Sequence, residues 1–157
     1  MKRIIQLLIA TILLLTISIS ALAETSTPPE SDLSPYPDYY YGSWTAGISP
    51  MSTDIAISNA TFSISKASST SVNVSASTTA NQTANQVGGT MYLQKWENNA
   101  WTNIKSQGFW DYGVTSKTGS ATWTVTSGYY YRLRTVHSAS LESTVTRTTY
   151  TGGILVN

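Results

Sequence analysis

Few residues in this chain are equipped for chemistry. Its one histidine, His137, stands in "GYYYRLRTVHSA" (residues 128–139), behind three tyrosines and an arginine pair, and there is no cysteine. Nucleophilic catalysis needs a serine or cysteine, a base, and a group that orients the base. Serine is abundant, but no G-x-S-x-G elbow is present, and His137 is the only imidazole base. Its plainer reading is a strand-end residue bonded to backbone or water. Beyond the first strand boundary the carboxylates are Asp54, Glu97, Asp111 and Glu142, any two of which could form an acid–base pair for glycosidic cleavage. Surface ion pairing with Arg132, Arg134 or Lys95 suits them better, Glu142 above all. One histidine without cysteine makes a zinc site improbable, and no run of alternating aspartates offers a calcium loop. No cofactor and no metal are expected.

Aromatic surface is the stronger functional signal. "YPDYYYGSW" (residues 36–44) and "GFWDYG" (residues 108–113) both mix rings with small polar residues. A ring offers an apolar face and a wet edge, which is what stacking on a sugar or gripping a peptide requires. The chain is expected to be a non-enzymatic protein with an interaction or structural role at the cell surface or outside the cell. The alternative is a carbohydrate-binding module using Trp44, Trp110 and Tyr112, and the candidate partner is a cell-wall glycan or another extracellular protein. The competing use is packing: "YYYGSW" covering a sheet edge, and Phe109 or Trp110 plugging one end of the core.

The elements that must position these residues read as strands. "ATFSISK", "SVNVSAST", "TMYLQKW", "SATWTVT", "GYYYRLRTVH" and "STVTRTTY" read as strands that alternate with period two, and "AWTNIKS" reads as the return strand of a hairpin. Asn98-Asn99 supplies a tight hairpin turn, since asparagine tolerates left-handed backbone. Trp101 and Ile104 differ in parity, which calls for a bulge or an aromatic lying over the edge. "TANQTANQ" (residues 79–86) reads as a loop lengthened by duplication. Seven short strands in roughly 100 residues point to one antiparallel β-sandwich of immunoglobulin or fibronectin type III-like architecture, which size favours over the jelly roll or small barrel that the same patterning allows. Leu93, Trp101, Ile104, Trp123, Tyr131 and Leu133 are expected to be structural. Tyr131 is the first choice, and Tyr129 the second, for a tyrosine corner whose hydroxyl satisfies the preceding connection. Arg132 and Arg134 would then face solvent.

The N-terminus sets the compartment. Lys2 and Arg3, the apolar run "IIQLLIATILLLTISIS" and the small residues of "ALA" read as a secretory signal peptide over residues 1–23 with cleavage after Ala23, against a retained membrane anchor, for which the run is slightly short. All five prolines fall before residue 51, so residues 24–52 read as an extended arm or linker, and residues 53–157 as the sandwich. Losing Lys2 and Arg3 leaves seven basic residues against eight acidic, a formal balance of −1. That is far from a nucleic-acid footprint. No membrane contact is expected after cleavage. An exported chain without cysteine must hold its core without disulfides, which fits a Gram-positive bacterium.

On "LQKW…NNAWTNIKS…GYYYRLRTVHSASLES" the chain resembles an uncharacterised family of small secreted proteins from Gram-positive, Clostridia-type bacteria. The matching positions are Leu93, Gln94, Trp101, Ile104, Gly128, Tyr131, Arg132, Glu142 and Ser143. They share an LQ strand, a tryptophan-bearing return strand, a Gly-Tyr-Arg strand and a Glu-Ser pair before the last strand. The resemblance spans about residues 60–150. It implies a small immunoglobulin- or fibronectin-like β domain and no particular activity.

Overall fold

The computed structural model describes residues 26–46 and 56–157. The signal peptide expected over residues 1–23, and the boundary expected at residue 53, lie outside the described residues.

Strand alternation builds two facing sheets. The first takes β1 (Tyr39–Thr45), β2 (Ile57–Ser68), β3 (Ser71–Ala84) and β6 (Val114–Thr124) in the order β1-β2-β3-β6. The second takes β4 (Gln86–Glu97), β5 (Ala100–Asp111), β7 (Tyr129–Ser140) and β8 (Thr144–Tyr150) in the order β5-β4-β7-β8, and the short β9 (Ile154–Val156) also pairs with β7. All strand pairs are antiparallel. Neighbours β3–β6 and β4–β7 are joined by connections that change sheets, which is the Greek-key path of an immunoglobulin-like sandwich. Because β5 pairs with β4 rather than with β6, the arrangement is of the fibronectin type III kind.

The core sits between the sheets where parity puts it. Ile64, Val72 and Val74 of the first sheet meet Met91, Leu93 and Leu133 of the second, all fully or almost fully buried. Leu93 and Leu133 are register partners on β4 and β7. Trp123 is partly buried against the same cluster. The Asn98-Asn99 hairpin has φ of 53° and 58°, the left-handed pair of a type I′ turn.

Four expectations need correction. The seven strands read from the sequence are β2 to β8, and the structure adds one at each end, β1 and β9. The arm is therefore not separate from the sandwich: Tyr39 to Thr45 pair with Ser65 to Asn59. The reason is visible in composition, since residues 38–49 are free of proline and "YYYGSWT" alternates, turning Tyr40 and Trp44 inward. The duplicated "TANQTANQ" extends β3 rather than looping out, and the irregularity appears as a register shift against β6 between Thr79 and Ala84. Ile104 is not a core residue. Leu93 pairs with Lys105 and Gln94 with Asn103, so Ile104 is the extra residue of a β-bulge and is 38% exposed.

Residues 26–34 cross the outer face of the second sheet. Leu33 bridges Gly153 in the gap between β8 and β9, Ser34 N–H donates to the Gly153 carbonyl (2.9 Å), and Gly153 N–H donates to the Asp32 carbonyl (2.7 Å). Across that gap, Thr151 Oγ1 accepts the Leu133 N–H (2.8 Å). Among the described residues no helix is long and apolar enough to cross a membrane.

Candidate functional site

The tyrosine-arginine stretch divides by parity into an inner and an outer row. Tyr131 points inward at the start of β7, 1% exposed. Its hydroxyl donates to the Thr126 carbonyl (2.7 Å) and accepts the Thr126 N–H (3.1 Å), the geometry of a tyrosine corner. Burial pushes the phenol's pKa up, partly offset by those bonds to Thr126. Tyr129, the second choice, packs partly buried on the core edge, with Lys95 Nζ 3.7 Å from its ring centroid.

His137 also points inward, and it is no strand-end residue. It is 0% exposed and joins the two sheets through threonines. Thr78 Oγ1 on β3 donates to the Gly88 carbonyl (2.7 Å), so it must accept from His137 Nδ1 (2.9 Å). The ring hydrogen is thereby fixed at Nδ1, and Nε2 accepts from Thr149 Oγ1 (3.0 Å). Burial first, and the charge of Arg147 second, push the imidazole's pKa down to about 4. Both nitrogens are occupied and shielded, so this is a neutral polar strut rather than a base facing a substrate.

The outer row carries the arginines. Arg132 lies between two rings, 4.5 Å from the Trp101 centroid and 4.8 Å from that of Tyr150. It also donates to Gln94 Oε1 (2.8 Å) and pairs with Asp32 (3.4 Å), whose Oδ2 accepts the Trp101 indole N–H (2.9 Å). Burial pulls the guanidinium's pKa down, with Asp32 opposing. Trp101 in turn meets Trp96 edge-on at 5.3 Å. This cluster is the clamp that seats the arm. Arg134 stacks on Tyr92 (5.0 Å). The expected partner Glu142 belongs to no ion pair among the described residues. Glu142 lies beyond Ser140, the far end of β7, which stands roughly 26 Å along the strand from Arg132 and roughly 20 Å from Arg134.

The three candidate binding residues separate into two places. Trp44, on β1, packs against the second small core beside Val145, with Arg147 3.8 Å from its ring, and closes the edge between the sheets. Trp110 and Tyr112 stay together where β5 ends and the chain crosses to β6 in the other sheet. Phe109 turns inward and is buried, so it takes the plugging role and leaves Trp110 on the outer face, 39% exposed. Gly108 makes room for the indole: a Cβ there would sit 2.9 Å from its Nε1. Gly88, the register partner of Trp110, has φ of +148°, and a Cβ on it would run into the Phe109 carbonyl. Tyr112 is 68% exposed, with its hydroxyl accepting from Gln86 Nε2 (3.0 Å). Asp111 anchors the turn, its carboxyl held below the ordinary range by the hydrogen bond from Lys117 and then by the Tyr112 N–H.

Register adds what the sequence reading missed. One row further along, Thr90 lies between Gly108 and Val136, and the next places Tyr92 beside Arg134, itself paired with Tyr150. The outer face of the second sheet thus carries Trp110 at one corner, small residues in the middle, and a Tyr92–Arg134–Tyr150 row about 13 Å away along the strands. Tyr92 was legible only as an outward residue, because its cation partner comes from a strand some forty positions on. Among the described residues no three histidine, aspartate or glutamate side chains gather as a metal site would need. Set against protein-family models, curated proteins and solved structures, the chain matches none.

Proposed function

We propose that this chain is a secreted, non-enzymatic binding module of a Gram-positive cell surface, held on wall glycan by the outer face of its second sheet. The observation that carries the reading is the exposed Trp110 indole laid over Gly108, with Tyr112 beside it and the Arg134–Tyr92 pair across a floor of small residues. Rings stack on the apolar faces of sugars, and an arginine held on a ring supplies directional donors to hydroxyl or carboxylate groups. Such a face binds without needing a nucleophile or a base. The only imidazole is sealed in the core, which supports the non-enzymatic part of the proposal.

Secretion rests on the signal-like residues 1–23, and the cell-surface setting on the cysteine-free composition and on the resemblance carried by Leu93, Trp101, Tyr131 and Arg132. The test is retention of the mature protein on insoluble peptidoglycan. Trp110→Ala should abolish retention while leaving the circular dichroism spectrum unchanged, and His137→Gln should keep it. Passage of the parent protein straight through every wall preparation would remove the glycan reading and leave another extracellular protein as the partner to seek.

A further inference from the structure

The geometry points to the outer face of the four-stranded sheet, on the opposite side of the molecule, as a binding surface for an uncharged polysaccharide. Because Phe62, Ile64, Val72 and Val74 turn inward, the residues between them turn outward, and they are almost all hydroxyl-bearing or amide. Strand register aligns them in rows. Tyr39, Ser65, Asn73 and Thr122 form one, and Tyr41, Ser63, Ser75 and Ser120 the next. Neighbouring groups in a row stand about 4.8 Å apart, and rows about 6.7 Å apart.

Three observations give the surface a ligand class. An open, shallow depression over β2, β3 and β6 is lined by the outward Ser63, Ser65, Asn73, Ser75, Ser120 and Thr122, with Val74 and Ala121 between them in the strands. Both rows carry no charged residue, and the ion pair at their margin, Lys66 with Asp38 (3.7 Å), is internally neutralised. An uncharged lattice of donors and acceptors matches a polyol and offers nothing to pay for stripping water from an anion. Aromatic rings flank the depression on the edge strand: Tyr39 is 48% and Tyr41 64% exposed, and Tyr36 stacks on Tyr39 at 4.6 Å with 9° between the planes. That stack presents a backed, pre-oriented ring to the apolar face of a sugar.

Existing hydrogen bonds orient the polar groups. Thr122 Oγ1 donates to Asn73 Oδ1 (2.7 Å), which leaves the Asn73 amide nitrogen as the donor of the pair, and Ser75 Oγ donates to the Gly119 carbonyl (3.3 Å), leaving its lone pairs outward. Away from the edge tyrosines the rows hold only hydroxyl and amide side chains, so the centre of the face lacks the apolar core on which protein interfaces are built.

The experiment is affinity electrophoresis of the mature chain in native gels containing, in turn, a soluble β-1,4-glucan, a β-1,3-glucan, a galactomannan, and polygalacturonate as the anionic control. At least one neutral polymer should retard the protein. Tyr41→Ala and Asn73→Ala should each weaken that retardation about tenfold, Tyr41→Phe should preserve it, and Trp110→Ala should leave it unchanged. The inference is overturned by free migration in every neutral polymer, by equal retardation of Tyr41→Ala and the parent, or by loss in Trp110→Ala alone, which would move the binding to the other sheet. Peptidoglycan retention through Trp110 can fail without affecting these results, so the two surfaces are judged separately.

Discussion

Lowering the pH from 7 to 4 should remove about 3 kcal/mol of folding stability through a single side chain. His137 is fully buried, both its nitrogens are engaged by threonines, and its pKa in the folded chain lies near 4 against an ordinary value of 6.5. The folded-state value is depressed, so between pH 6.5 and about 4 the unfolded chain binds a proton that the native chain refuses. Stability contributed by the neutral ring is complete above pH 6.5 and is lost progressively as the pH falls to about 4. A shift of some 2.5 units at about 1.4 kcal/mol per unit totals roughly 3.5 kcal/mol, of which about 3 is lost by pH 4, where the native ring is itself half protonated. Urea unfolding at pH 7, 6, 5 and 4, with the free energy extrapolated to water, measures it. The same series on His137→Gln supplies the reference, because carboxylates common to both proteins cancel in the difference. The variant should be less stable at pH 7 and its curve flatter across this window. Parallel curves for the two proteins would refute the claim that the ring is a neutral, water-excluded strut.

Other consequences follow from the packing. Tyr131→Phe should lower stability by about 1 kcal/mol through the lost bonds to Thr126, and an unchanged melting temperature would argue against the corner. Trp101→Ala removes one face of the Arg132 sandwich and the bond to Asp32, so residues 26–34 should become cleavable by protease at concentrations that spare the parent. Gly119→Ala places a Cβ against that of Phe109 and should destabilise by roughly 1–3 kcal/mol in thermal unfolding. Leu133→Ala, at a fully buried position, should reduce stability by about 2–5 kcal/mol in the same measurement.

Fold class was legible because burial on one face imposes period two, which β2, β3, β4 and β7 show most clearly. The inward set Leu93, Tyr131 and Leu133 came from parity alone, and the parity conflict between Trp101 and Ile104 announced the bulge. Parity does not tell which member of such a pair is the extra residue, so Ile104 was misplaced. β1 was hidden by its prolines, which flank the strand without entering it. The candidate site was legible only in part. Clustered aromatics marked "YPDYYYGSW" and "GFWDYG", but the choice between packing and exposure depends on neighbours distant in the chain. Trp44 packs against the second small core with Arg147 over its ring, whereas Trp110 lies over Gly108 on the outer face. Arg132 met Asp32, one hundred positions away, rather than the nearby Glu142, for the same reason.

The most direct measurement is a two-dimensional NMR titration of the mature, isotope-labelled protein with solubilised peptidoglycan fragments. The Trp110 indole N–H, the Tyr112 amide and the Arg134 side chain should shift together and saturably, while the His137 ring and the Trp44 indole stay in place. Shifts confined to other surfaces, or none at fragment concentrations in the millimolar range, would contradict the assignment of this face as the glycan-binding one.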